Sequence, residues 1–285
     1  MASVLITGTS KGIGLETALT VARAGHNVLA TMRSPSRSPE LADRAAAEKL
    51  PVSIHALDVD SDASVRDAFT SIHKQHGPID VLVNNAGIER AGSIEELPLD
   101  EFRAAMETNY FGALRCIQAV LPHMRERRSG WIVNVTSVSG RISSSPLAAY
   151  SASKWALEAL SEALAGEMKM FNVHVAIVEP GIIDTSMARR ISHNGQPSVY
   201  PQRNRMASRF TESLQKPVSP TLVADKILDI VASGSWQLRY LVGPDAPSLI
   251  EWRRSMTDEQ WVDYYSADDA TYQEILETSH TPFDE

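Results

Sequence analysis

An α/β fold, a parallel sheet covered on both faces by helices, is the architecture the sequence predicts. Three observations carry it. Short apolar runs alternate along the chain with longer segments of helical periodicity, the order that builds strand–helix–strand units. The runs are almost continuously apolar, as in Val4-Leu5-Ile6 and Val173 to Val178, which is the pattern of strands buried on both faces. The 285 residues are 43% hydrophobic and 22% charged, an ordinary globular composition long enough to bury such a sheet.

The elements follow in order. Val4-Leu5-Ile6 is a strand that ends in a glycine-rich turn, and Ile13 to Ala24 is a helix stopped by Gly25. Val28-Leu29-Ala30 is the second strand; Ser34 to Pro39 is a loop, Glu40 to Lys49 a helix and Val52 to Leu57 the third strand. Ser61 is placed to cap a helix running to His76, which Gly77-Pro78 ends. Ile79 to Val83 is the fourth strand, followed by a second glycine turn and by one long helix over Glu101 to Met124. Trp131 to Val135 and Val173 to Val178 are strands on either side of a helix from Tyr150 to Met170. Ser219-Pro220 reads as an N-cap followed by a first-turn proline, opening a helix through Val231, and Arg239 to Val242 is a last short strand.

With no fixed-period repeat and no linker, residues 1–242 read as one domain, with a polar insertion at 182–219 and an acidic, aromatic tail at 243–285. In the tail, Thr257-Asp258-Glu259-Gln260 has the form of a capping box opening a helix, and Trp252, Trp261, Tyr264, Tyr265 and Tyr272 supply aromatic surface. Such a helix packs on its own domain, covers a pocket or meets another subunit.

The formal charge of -8 argues against a nucleic-acid partner, since that role needs cations to displace counterions. No apolar run reaches about 18 residues, the length that suggests a membrane span, and Met1-Ala2-Ser3 runs straight into the first strand without a basic and then apolar leader. The expectation is a cytoplasmic protein without a membrane partner. The single cysteine, Cys116, lies in an apolar helical pattern and reads as a small core residue. The eight histidines are scattered without ligand spacing, so no metal is expected, and the Gly-x-Ser-x-Gly hydrolase elbow is absent.

Thr7-Gly8-Thr9-Ser10-Lys11-Gly12-Ile13-Gly14 follows the first strand and opens the first helix. Glycines permit a tight turn whose backbone N–H groups approach a pyrophosphate at the positive end of a helix. A glycine cluster alone also serves as a structural turn; the strand before and the helix after favour phosphate binding. The spacing is Gly-x-x-x-Gly-x-Gly, unlike the Gly-x-Gly-x-x-Gly of the larger dinucleotide-binding group. Further stretches follow in order: Asn84-Asn85-Ala86-Gly87, Asn109-Tyr110-Phe111-Gly112, Ser137, Tyr150-Ser151-Ala152-Ser153-Lys154 and Pro180-Gly181.

In this ordered set, which spans roughly residues 4 to 185, the chain resembles the short-chain dehydrogenase/reductase family. Ala30-Thr31-Met32-Arg33 and the overall length resemble its 17-beta-hydroxysteroid and retinol dehydrogenase-like branch. The resemblance implies a Rossmann-type doubly wound sheet of seven parallel strands and a nicotinamide-dependent interconversion of an alcohol and a carbonyl. It places Gly8, Ser10, Lys11, Gly12, Ile13 and Gly14 at the cofactor's phosphates, Asp58 and Val59 at its adenine, Asn85, Ala86 and Gly87 along it, and Pro180, Gly181, Ile183 and Thr185 at the nicotinamide amide. For Asp58, capping a turn is the competing role. The resemblance also implies a homodimer or homotetramer formed through the long helices.

The end of the second strand decides between the two nicotinamide cofactors. An acid there accepts from the ribose 2′-hydroxyl and repels a 2′-phosphate. Thr31-Met32-Arg33 carries no acid; Arg33 offers a planar fork for phosphate and Lys11 a second cation, which favours NADP(H). Arg37 is a loop cation.

Transfer of hydride to a carbonyl needs a proton donor at the oxygen. A phenol titrates near 10, and a neighbouring cation lowers that value. Tyr150 and Lys154 are four residues apart and share a helix face, so one ammonium is expected to tune the phenol and bind the cofactor ribose. Ser137, thirteen residues before Tyr150, is placed to donate to the substrate oxygen; Thr136 and Ser139 are neighbouring alternatives. Asn109, an asparagine inside an apolar helix, is unfavourable there unless its amide is used; the resemblance implies that it holds a water in a proton relay to Lys154.

The substrate is expected to meet Met187, Tyr200, Met206 and Phe210 of the insertion with Ile142 and Leu147, a wall suited to a steroid, a retinoid or another bulky alcohol or carbonyl. Arg189, Arg190, Arg203 and Arg205 could attract an acid but read as solvated charges. The alternatives are reduction of a small or acyl-type carbonyl, and a cofactor-sensing binding protein without turnover, which would leave Asn109, Ser137, Tyr150 and Lys154 without a purpose.

Overall fold

A computed structural model describes residues 1–193 and 197–278. Its strands are β1 (Ser3–Thr7), β2 (Asn27–Met32), β3 (Val52–Ala56), β4 (Val81–Asn84), β5 (Gly130–Val135), β6 (Val173–Pro180) and β7 (Arg239–Val242). They form one seven-stranded sheet in the order β3-β2-β1-β4-β5-β6-β7, with every pairing parallel. The single-domain, doubly wound fold expected from the sequence is therefore the fold observed. The helices are α1 (Gly12–Arg23), α2 (Glu40–Ala47), α3 (Asp62–His76), α4 (Leu99–Met106), α5 (Gly112–Arg127), α6 (Ala148–Lys169), α7 (Ser186–Ser192), α8 (Gln202–Ser213), α9 (Thr221–Ser233), α10 (Asp245–Ser255), α11 (Asp258–Ser266) and α12 (Asp269–Thr278).

Side chains alternate between the sheet faces even where the strand is apolar throughout. Val4 and Ile6 of β1 join Leu15 and Leu19 of α1 and Val223 and Ile227 of α9 on one face. Leu5 joins Phe69 of α3, Ile117 and Val120 of α5 and Leu164 of α6 on the other. Cys116 is fully buried in that second layer, as its apolar setting predicted.

Two local expectations are corrected. The helix expected over 101–124 is interrupted at Glu107–Phe111 by a π-helical turn that separates α4 from α5. A wide turn inserts one residue into the helical ladder, and periodicity alone does not reveal it. Pro220, not Ser219, occupies the N-cap of α9, while the Ser219 hydroxyl accepts from the Thr221 N–H at 3.2 Å. Among the described residues, the insertion at 182–219 contains α7 and α8.

The tail folds back on that insertion. Thr257 and Gln260 close the expected capping box at the start of α11. Arg209 of α8 is buried, donates to the Tyr264 hydroxyl, and lies 5.5 Å from the ring centroids of both Tyr264 and Tyr272. Arg205 pairs with Asp269 at 2.6 Å and sits 4.3 Å over Tyr272. The Trp261 indole N–H donates to the Ser143 carbonyl at 3.1 Å, reaching the segment between β5 and α6. Among the described residues, no helix is long and apolar enough to cross a membrane.

Arg209→Ala removes the guanidinium that satisfies the buried Tyr264 hydroxyl and its neighbouring rings. The expected cost is about 2 kcal/mol, read as a lowered thermal midpoint with faster chymotryptic cleavage around Trp261–Tyr265. Unchanged cleavage in the tail would contradict this account of how it is held.

Candidate active site

Strand order reverses between β1 and β4, and in an open α/β sheet the crevice for a ligand lies there, beyond the carboxyl ends of the strands. A cleft of about 490 Å³ occupies that position. It is lined by every residue expected at the cofactor or in proton transfer except Gly14 and Asn109, and by Leu147, Met187 and Phe210 of the expected substrate wall; Ile142, Tyr200 and Met206 of that wall do not line it.

One end is built from the turn between β1 and α1. Gly8 (φ +72°) and Gly12 (φ +60°) adopt left-handed conformations suited to glycine. A Cβ on Gly14 would lie 2.4 Å from both the Gly8 carbonyl and the Asn85 side chain, and one on Gly8 would lie 2.8 Å from Ala86 Cα. Gly14 thus contributes close packing. The two glycine turns are bolted together by side chains: Asn85 Nδ2 donates to the carbonyls of Thr7 and Gly8 at 2.9 and 3.1 Å, and Thr7 Oγ1 accepts from the N–H groups of Asn85 and Ala86, each at 3.0 Å.

Lys11 and Arg33 line this end as exposed cations, and neither side chain makes a hydrogen bond or ion pair among the described residues. Asp58 lines it too, and its Oδ1 accepts from the Asp60 N–H at 3.2 Å, so it also closes its own turn. Asp60 was not read from the sequence. Its Oδ2 accepts from the Thr108 hydroxyl at 3.0 Å, its Oδ1 is buried without a partner, and burial raises the carboxyl above its ordinary range. A second acid two residues after Asp58 carries no pattern of its own.

At the opposite end stand Ser137, Tyr150 and Lys154. The Ser137 Oγ accepts from the Ser139 N–H at 3.1 Å, makes a long contact of 3.4 Å to the Pro180 carbonyl, and is hydrogen-bonded to the Tyr150 hydroxyl. Thr136, the neighbouring alternative, is taken up by Glu158 at 2.7 Å and by the Val178 carbonyl at 3.1 Å. Lys154 is buried, donates to the Val135 carbonyl at 2.9 Å, and lies 5.7 Å from the Tyr150 ring centroid.

Burial lowers the Lys154 ammonium to about 8, with the negative charge of Glu158 opposing the shift. The Tyr150 phenol moves opposite to the sequence expectation. Burial pushes it up to about 12; the Ser137 hydroxyl beside it favours the phenolate, while the charge of Glu89 disfavours it. The ammonium spends its short contact on Val135, so desolvation of the phenolate prevails.

Asn109 sits in the π-helical turn and is buried. Its Oδ1 accepts from the Ile88 N–H at 2.8 Å, and its Nδ2 donates to the Ile88 carbonyl at 2.9 Å and to Ser153 Oγ at 2.8 Å. Both amide protons are spent on the chain, which leaves the side chain no donor for the expected water. The side chain instead clamps the segment after β4 against α6.

The turn after β6 brings Pro180, Gly181, Ile183 and Thr185 to the cleft. Thr185 caps α7, and its Cγ2 would lie 3.3 Å from a Cβ on Gly12. This turn rests on a residue that sequence reading missed. Asp245, the first residue of α10, accepts from the Ile182 N–H at 2.8 Å and would lie 2.1 Å from a Cβ on Gly181. Glu89 and Arg190 were likewise not placed together; both line the cleft and form a two-point ion pair at 2.9 and 2.8 Å.

Comparison with known proteins identifies the family and the fold. A profile of the short chain dehydrogenase family matches residues 2–196. Retinol dehydrogenase 8 of Bos taurus is 36% identical over 252 residues, which cover 83% of this chain and 80% of that protein. A short-chain dehydrogenase structure from Streptomyces avermitilis superposes with a TM-score of 0.77 at 31% identity, over 97% of this chain and 96% of that one. A gluconate 5-dehydrogenase from Burkholderia cenocepacia, solved with NADP and tartrate, gives a TM-score of 0.75 at 25% identity, over 87% and 95% of the two chains. The chain belongs to the short-chain dehydrogenase/reductase family, whose members are oxidoreductases that use a nicotinamide cofactor.

Proposed function

We propose that this oxidoreductase uses NADP(H) to interconvert a bulky, apolar carbonyl compound and its alcohol, with Tyr150 as the proton donor and acceptor. The observation that carries the reading is the convergence of Ser137, Tyr150 and Lys154 at one end of a cleft whose other end presents the glycine turn, Lys11 and Arg33.

The cleft fits a dinucleotide. Side chains are excluded at Gly8 and Gly14, which leaves bare backbone at a helix N-terminus, and a Cβ on Gly87 would approach Asn109 Oδ1 at 3.2 Å. Arg33, just past the end of β2, interacts electrostatically with Asp60, and neither it nor Lys11 in the turn after β1 makes a hydrogen bond or ion pair with its side chain among the described residues; a 2′-phosphate there would be held by charge-assisted hydrogen bonds. The NADP in the Burkholderia structure supports the same choice. Asp58 and Val59 would flank the adenine, and Pro180, Gly181, Ile183 and Thr185 the nicotinamide.

When bound, the nicotinamide supplies or receives the hydride. The chain's own groups handle the proton. The Tyr150 hydroxyl gives its proton to the carbonyl oxygen in reduction and takes it back in oxidation, while Ser137 donates to the same oxygen and orients it. The Lys154 ammonium lies beside the ring and offsets the negative charge that builds on the phenol oxygen as its proton leaves. Asn109 is a positioning residue in this scheme, since its side chain touches Ile88 and Ser153.

The apolar end supports the substrate class. Leu147, Ile191 and Met206 form a buried cluster with Ala91 and Phe210 packed against it. The arginines that might have drawn an acid are all paired: Arg189 with Asp184, Arg190 with Glu89, Arg203 with Glu96 and Arg205 with Asp269. The retinol dehydrogenase relative supports a hydrophobic substrate.

Three tests follow from this chemistry. Tyr150→Phe removes the transferable proton and is expected to lower turnover by about 10²–10⁴-fold, with NADPH affinity retained in a fluorescence titration; full turnover would refute the role. Arg33→Asp replaces a phosphate donor with a repelling carboxylate and is expected to shift the NADP-to-NAD preference by about ten- to a hundredfold, read as a ratio of kcat/KM values. The pH profiles should run in opposite directions. Tyr150 stays protonated well past neutrality, so reduction is limited by loss of the Lys154 ammonium and declines as pH rises through about 8. Oxidation needs the phenolate and should accelerate with pH; a reduction rate that climbs between pH 8 and 9 would contradict this assignment.

A further inference from the structure

Glu89 and Arg190 approach from different walls of the cleft, Glu89 from the segment after β4 and Arg190 from α7. The Glu89 side chain is 10% exposed and that of Arg190 53%, so a buried carboxylate is met by a guanidinium whose other side faces water. Arg190 Nε and Nη2 reach the two carboxylate oxygens at 2.9 and 2.8 Å, the fork geometry that satisfies both at once. Among the described residues, the neighbouring Arg90 donates to the Glu89 backbone carbonyl and pairs with Glu101. The negative charge of Glu89 is felt at the Tyr150 hydroxyl, which places the pair close to the reacting end of the cleft. Ile191 follows Arg190 directly and belongs to the buried cluster with Leu147 and Met206, so the pair also fixes the apolar wall beside it.

We propose that the Glu89–Arg190 ion pair is a specificity determinant that closes the substrate end to anionic carbonyl compounds and reserves it for neutral, apolar ones. This deepens the reductase reading and rests on it. An incoming carboxylate meets a pair whose positive member is already taken. To recruit Arg190 it must displace Glu89 and leave a buried carboxylate without a counter-charge, which is the costly half of breaking such a pair. A neutral ketone or ester leaves the pair intact and lies against Leu147, Ile191 and Phe210.

The test uses two probes with the same reacting carbonyl, benzoylformate as the anion and methyl benzoylformate as its neutral ester. With NADPH, the wild-type protein is expected to favour the ester in kcat/KM by a hundredfold or more. Glu89→Gln and Glu89→Ala leave Arg190 unpaired and should reduce that preference at least tenfold, through a lower KM for the anion. Arg190→Gln should leave the preference at or above the wild-type value. Equal use of both probes by the wild type, or an unchanged ratio in both Glu89 variants, overturns the proposal. Binding of each probe to the NADPH-loaded protein, followed by nicotinamide fluorescence, separates this failure from that of the reductase reading. A tenfold gain in anion affinity in the Glu89 variants without turnover in any protein refutes the reductase and supports the determinant. No gain in anion affinity refutes the determinant whatever the turnover.

Discussion

The close approach of two glycine turns, at the ends of β1 and β4, is the constraint on which the rest of the site depends. Strand order reverses between these neighbours, so the helices that follow them leave to opposite faces and open a crevice. The crevice keeps its shape because Thr7 and Asn85 spend their side chains on the backbone of the opposite turn. Any side chain at Gly8 or Gly14 would push the turns apart, since the nearest atoms include backbone at 2.4–2.8 Å. The alternating apolar layers on the two faces hold the strands, but it is this polar stitch that sets the mouth of the cleft.

At the other end the governing quantity is desolvation. Burial raises Tyr150 to about 12 and lowers Lys154 to about 8, so both groups carry their protons at neutral pH, one neutral and one charged. That is the state from which a phenol can donate to a carbonyl oxygen. The cost of burying an ammonium is offset by the Val135 carbonyl and, one turn further along α6, by Glu158. Glu158 in turn is held by Thr136 and by Arg239 of β7 at 3.0 Å. The proposed acid–base pair is thus supported from the next strand ends rather than from solvent.

Much of this was legible in the sequence, and the boundary of legibility has a physical origin. The strands and the glycine turns announce themselves because each is a local pattern, an apolar run or a left-handed turn before a helix; Ser137, Tyr150 and Lys154 were singled out instead by the ordered set of motifs and the resemblance it carries. The π-helical turn at Glu107–Phe111 escaped because a single inserted residue leaves the apolar periodicity nearly intact. Glu89 and Arg190 are 101 residues apart, and Ile182 and Asp245 are 63 apart. Polar contacts of that separation leave no trace in periodicity or composition. The direction of the Tyr150 shift escaped for a related reason: spacing places a lysine nearby but does not say that its ammonium points at a backbone carbonyl.

The same boundary separates two kinds of recognition within one cleft. The end that would hold the cofactor is made from short contiguous motifs on rigid strand ends, so its chemistry is written locally and read easily. The end that would hold the substrate is assembled from the segment after β4, the stretch before α6, the α7–α8 insertion and the tail. Trp261 reaches Ser143, Arg209 reaches Tyr264, and Asp245 props the turn at Gly181. Each of these is a polar contact between segments free to differ in length and sequence. A substitution in the tail can therefore move the proposed substrate wall while the glycine turns and the proposed proton-handling groups stay where β1, β4 and α6 put them. Specificity in such a protein is a property of tertiary contacts, and it becomes visible only when those contacts are in view.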